Sequence, residues 1–162
     1  MADCMNRPAA LFSGLLATAA VHGADAPGHI RKAMIPDHRH TVVVAAGELE
    51  PASVGSYSLR VYAAINPAFP YDDFVTGVVR QRDGTIEDIR FVDLDHDGSP
   101  EIIVIMRSAG SGGYLAADAF RFKSEMLTLL ASVSGLPADA DAVRILGAQS
   151  NEHAAPASAQ RP

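Results

Sequence analysis

Tryptophan is absent from this 162-residue chain and cysteine occurs once, at Cys4. No apolar run approaches the roughly 20 residues that a membrane-spanning helix needs. Positive charge is also short, with 13 Lys and Arg against 19 Asp and Glu, for a net charge of −6. No basic face is concentrated anywhere, so a nucleic-acid binder is excluded as a class, because neutralising phosphates requires one. The length fits one domain with a single core.

What is present begins with an N-terminal segment that reads as a signal peptide over residues 1–26. Arg7 supplies the positive start, residues 9–21 (AALFSGLLATAAV) form a short apolar stretch, and small residues follow at Gly23, Ala24 and Ala26. Cleavage is expected near 23–26. Cys4 leaves with this segment and has no lipobox around it, so the secreted chain carries no disulfide and depends on its core or on dimerisation. Residues 27–40 mix Pro, Gly, His and charge and read as a mobile lead-in. Residues 41–146 read as the domain, and residues 147–162, rich in Ala, Gln, Ser and Pro, as a flexible tail.

Strand signals dominate the middle. Residues 41–46 (TVVVAA) are β-branched, and residues 56–65 alternate, with Tyr57, Leu59, Val61 and Ala63 on one face. Residues 66–73 contain two prolines and read as a loop. Residues 74–80 and 85–92 flank Asp83-Gly84, which predicts a type I′ hairpin. Residues 101–106 (EIIVIM) are continuously apolar, as in a strand buried on both faces. Strands at 115–122 and 126–133 follow, then a short helix over 138–146. The predicted fold is mainly β, an antiparallel β-sandwich or strongly twisted sheet with one or two short helices.

Two motifs carry functional potential. Asp93, Asp95 and Asp97 with Gly98 open a calcium-type loop, and Glu101 stands at its ninth position. The twelfth position, where an EF-hand needs a bidentate Glu, is Val104, so an EF-hand is excluded. The residues read as a structural turn with side-chain caps, with a cation site as the alternative. The second motif is the run Ser108 to Tyr114, with glycines at 110, 112 and 113. Glycines there let the backbone protrude, while Ser111 offers a hydroxyl and Tyr114 a large ring with a polar tip. Neither serine has the flanking glycines of a nucleophile elbow, and no βαβ context supports a dinucleotide loop. His29, His38, His40 and His153 fall in stretches read as mobile and read as surface residues. No enzyme and no cofactor is expected.

The run FVDLDHDGSPEIIVIM from Phe91, followed by SAGSGGY ending at Tyr114, resembles the periplasmic inhibitors of invertebrate-type (I-type) lysozyme found in Gram-negative bacteria. The likeness extends over about residues 41–143 and includes a leader segment in front. It implies an antiparallel β fold, often dimeric, whose Ser-Gly-x-Tyr loop enters the lysozyme cleft. Carried onto this chain, Ser111 and Tyr114 would be the principal contacts, with Gly110, Gly112 and Gly113 shaping the loop. The implied partners are an I-type lysozyme and a second copy of the chain; the implied location is the periplasm. The alternative from the residues alone is a calcium-stabilised extracytoplasmic β module, of the carbohydrate-binding kind.

Overall fold

The computed structural model describes residues 30–37 and 39–154, so the signal-peptide expectation lies outside the described residues. Eight strands form two four-stranded antiparallel sheets, each a simple meander in chain order. The first contains β1 (Ile30–Met34), β2 (His40–Ala46), β3 (Val54–Ala63) and β4 (Asp73–Asp83). The second contains β5 (Thr85–Val92), β6 (Glu101–Arg107), β7 (Leu115–Lys123) and β8 (Met126–Leu136). A helix, α1 (Ala142–Ala154), closes the described chain. The architecture is the expected mainly β sandwich.

The alternation in β3 does what its spacing predicts as far as Val61; a register shift follows at Val61/Tyr62, and Ala63 is only half-buried. Tyr57, Leu59 and Val61 are fully buried and meet Ile102, Val104, Met106 and Phe120 of the second sheet. Ile103 and Ile105 of β6 point the other way, into a separate core with Leu115, Ala117, Ala119 and helix residues Ala142 and Leu146. A continuous apolar strand is required because β6 is covered on both faces. The helix starts at Ala142, later than expected, because Asp141 caps it: its Oδ1 accepts from the Arg144 backbone N–H at 3.1 Å. Leu146 and Ser150, one turn apart, keep that face buried beyond Gly147. Helix therefore occupies part of the stretch read as a flexible tail.

Three further expectations change. First, residues read as a mobile lead-in include β1, which pairs with β2 from Ile30↔Ala45 to Met34↔Thr41. It is an exposed edge strand with no alternation for a pattern search to find. His40, likewise read as mobile surface, opens β2, with its Nδ1 2.6 Å from Asp37 Oδ2 and its ring edge-on to Phe122.

Second, Asp83-Gly84 does not form a hairpin. From Asp73 to Asp83, β4 pairs with β3 except at a bulge that leaves out Val75, whereas Thr85 pairs with Arg107 of β6. Gly84 is the single residue between the sheets, at φ 91°. Buried Arg82 braces this corner by donating to the Pro51, Ala52 and Ser56 carbonyls, each at 3.1 Å, and to that of Gly84. Third, the two-residue turn with both φ angles positive is Ser124-Glu125, at 51° and 61°, between β7 and β8.

Asp118 holds the sheets together by polar contact. Its carboxylate accepts from the Tyr57 hydroxyl at 2.5 Å and the Ser132 hydroxyl at 2.6 Å, with Arg80 Nε at 3.4 Å. Burial and this carboxylate push the Tyr57 hydroxyl far above its ordinary pKa. Asp118→Ala strands a buried phenol and a guanidinium. It is expected to lower unfolding stability by about 3 kcal/mol, read as a drop in urea midpoint.

Candidate functional site

Strand β6 ends at Arg107 and β7 begins at Leu115, so residues 108–114 form the loop between two adjacent antiparallel strands. Its base is closed by the Ser108 N–H donating to the Tyr114 carbonyl at 2.8 Å. Inside it, the Gly113 N–H donates to the Gly110 carbonyl at 3.1 Å, with Gly113 at φ 54°. Ser111 and Gly112 are exposed, and Tyr114 is 55% exposed. Among the described residues, no hydrogen bond engages the Ser111 hydroxyl or the Tyr114 phenol. The ring lies against the Gly112 backbone, where an added Cβ would stand 2.4 Å from Tyr114 Cε2. Glycine at 112 thus lets the tyrosine fold over its own loop.

Sequence reading missed what supports this finger. Arg107 Nη1 donates to the Gly113 carbonyl at 2.9 Å and to the Ala138 carbonyl at 3.2 Å. Its Nη2 donates to Glu87 Oε1 at 2.9 Å, and its Nε to Glu87 Oε2. Glu87 is the unpaired residue of a bulge between Ile86 and Asp88, a device that re-aims a side chain. The two-pronged carboxylate contact orients the guanidinium, which in turn ties the loop to the segment before α1. The only cue in the sequence is an arginine ending an apolar strand directly before a glycine-rich run.

The Asp-rich turn joins β5 to β6. Asp93, Asp95 and Glu101 each bring a carboxylate oxygen within 4.8 Å of the others. Asp97 stands apart, and its Oδ1 accepts from the Ser99 N–H at 2.9 Å. Asp93 Oδ1 and Asp95 Oδ1 both accept from the Asp97 N–H, and Asp93 Oδ2 accepts from that of Gly98. These are the side-chain caps expected of such a turn. Glu101 is buried, which raises its pKa above the ordinary carboxylate value. His96 is exposed in the same turn and lies outside the carboxylate group.

The described residues thus present two features: an exposed Ser/Tyr finger braced by Arg107 and Glu87, and a carboxylate cluster with one buried member. The family described as periplasmic lysozyme inhibitor of I-type lysozyme matches residues 28–150. No curated protein sequence matches the chain. Among solved structures, the periplasmic inhibitor of I-type lysozyme from Aeromonas hydrophila is 42% identical, with a TM-score of 0.68, covering 74% of this chain and 99% of that one. The same Aeromonas protein in complex with Meretrix lusoria lysozyme matches at equal identity and TM-score, covering 74% of this chain and 95% of that one.

Proposed function

The chain belongs to the family of periplasmic inhibitors of I-type lysozyme, and from that membership we propose that it blocks such a lysozyme by inserting its Ser-Gly-Gly-Tyr loop into the active-site cleft. The observation that carries this reading is the exposed, internally unbonded pair Ser111 and Tyr114 on a braced loop.

Lysozymes cleave glycosidic bonds with a pair of carboxyl groups in a sugar-binding groove. The Ser111 hydroxyl can donate to one of those groups in place of water or a substrate oxygen. The Tyr114 ring can fill a sugar subsite as a desolvated anchor. A net charge of −6 favours encounter with a cationic lysozyme, raising the association rate more than the affinity. The role needs no metal or cofactor and no turnover.

A lysis assay tests the reading directly. The purified chain is expected to inhibit an I-type lysozyme at stoichiometric levels and to leave chicken- and goose-type enzymes much less affected. Lysis of all three at full rate would refute it.

Arg107 and Glu87 enter as positioning residues. Arg107→Gln removes the contact to the Gly113 carbonyl without touching the loop's own side chains. It is expected to weaken inhibition by about tenfold, since a freed loop must be ordered on binding. Glu87→Gln should have a smaller effect of the same sign, because it disturbs the guanidinium's orientation only. Equal potency of both variants and the parent would remove the brace from the mechanism.

A further inference from the structure

The turn between β5 and β6 holds more negative charge than its neighbours balance. Among the described residues, the ion pairs to this turn come from Arg121, whose Nη2 pairs with Asp95 Oδ2 and whose Nε pairs with Glu101 Oε1. The feature that separates this turn from an ordinary capped one is Glu101. It is 1% exposed, and its Oε2 accepts from the Leu94 N–H at 2.8 Å. Its Oε1 is buried with no hydrogen-bond donor. Arg121 Nε lies 3.5 Å away but makes no hydrogen bond to it, and that nitrogen is itself buried without an acceptor. A buried carboxylate oxygen and a buried guanidinium nitrogen therefore stand 3.5 Å apart as an ion pair, each without a hydrogen-bond partner. Such an oxygen needs an explanation, because a buried carboxylate oxygen that accepts no hydrogen bond is costly.

We propose that Asp93, Asp95 and Glu101 form a binding site for a hard divalent cation of the calcium class, with Glu101 Oε1 as its buried ligand. Calcium accepts carboxylate oxygens at about 2.4 Å, so two of its ligands can lie at most about 4.8 Å apart. The three oxygens meet that limit. Positive φ at His96 (61°) and Gly98 (88°) curls the loop back over the carboxylates. Asp97, Gly98 and Ser99 are exposed, which leaves a way in and room for water to complete the shell. The ion takes over the charge balance that Arg121 now supplies incompletely. Bound there, it ties the residue following β5 to the first residue of β6. This assignment stands on the cluster alone and is independent of the lysozyme reading.

The test uses the full chain, freed of metal by a chelator, with calcium chloride as the probe. Calcium at ten times its dissociation constant is expected to raise the Tm by about 5 °C. Sodium chloride of equal ionic strength should give a much smaller shift. Asp95→Asn combined with Glu101→Gln keeps the shape of the turn and should abolish the difference between the two salts. Arg121→Gln removes the competing cation but no ligand, and should preserve or enlarge it. Calorimetric titration of the unaltered chain is expected to show one site, whatever the folding of the variants. A silent titration at millimolar calcium, or a double variant responding like the parent, would overturn the proposal.

Discussion

Tyr114→Ala is expected to weaken inhibition of an I-type lysozyme by about 100-fold, equivalent to about 3 kcal/mol, the scale of an interface anchor that becomes fully desolvated. In the free protein the ring packs on Gly112 and is otherwise exposed, so its removal takes little from the fold. Ser111→Ala should cost less, about tenfold, because one hydroxyl hydrogen bond to an ionisable group is at stake. The two side chains share one cleft, so their effects need not add, and the double variant is the decisive one. Inhibition constants from lysis kinetics and a Tm for each variant separate the outcomes. Lost inhibition at unchanged Tm supports insertion of the finger. Full potency in the double variant would show that the contact lies elsewhere on the molecule.

The second large effect is on stability. Gly84→Ala is expected to lower unfolding free energy by about 4 kcal/mol or to prevent folding. Two causes act together. The backbone sits at φ 91°, a conformation L side chains rarely adopt, and an added Cβ would lie 1.9 Å from the Arg107 carbonyl oxygen. That oxygen belongs to the backbone of a central strand and cannot be moved cheaply. The Gly84 N–H also donates to the Ser53 carbonyl at 2.9 Å, so the residue is held from both sides. Urea denaturation of the variant measures the loss; a midpoint within error of the parent would contradict the geometry.

Much of the fold was legible because its signals are periodic. Residues 101–106 announced a strand buried on two faces, and Tyr57, Leu59 and Val61 announced an inner face; both expectations hold. What failed was turn chemistry. Asp83-Gly84 has the composition of a hairpin turn, but glycine serves any positive φ, and here it serves a corner between sheets. The turn with hairpin geometry is built from Ser124 and Glu125, residues with no preference for it. β1 was hidden because an exposed edge strand has no buried face to impose alternation.

The site divided along the same line. The finger was readable from its three glycines, which are local. The brace was not, because Glu87 and Arg107 lie 20 residues apart and meet through strand pairing and a bulge. The Asp-rich turn was readable as a turn. The burial of Glu101 beneath it depends on packing between elements.

Each sheet is one uninterrupted stretch of chain, residues 30–83 and then 85–136. Every strand pair can therefore zip from its own neighbour, and two steps join more distant parts of the chain: the packing of α1 on the second sheet and the closing of one meander on the other. A polypeptide delivered from its N-terminus completes the first meander while Tyr57, Leu59 and Val61 still lack anything to lie against. Until the later half arrives, that bare oily surface is the vulnerable moment in the molecule's life, open to proteases and to clumping with its siblings.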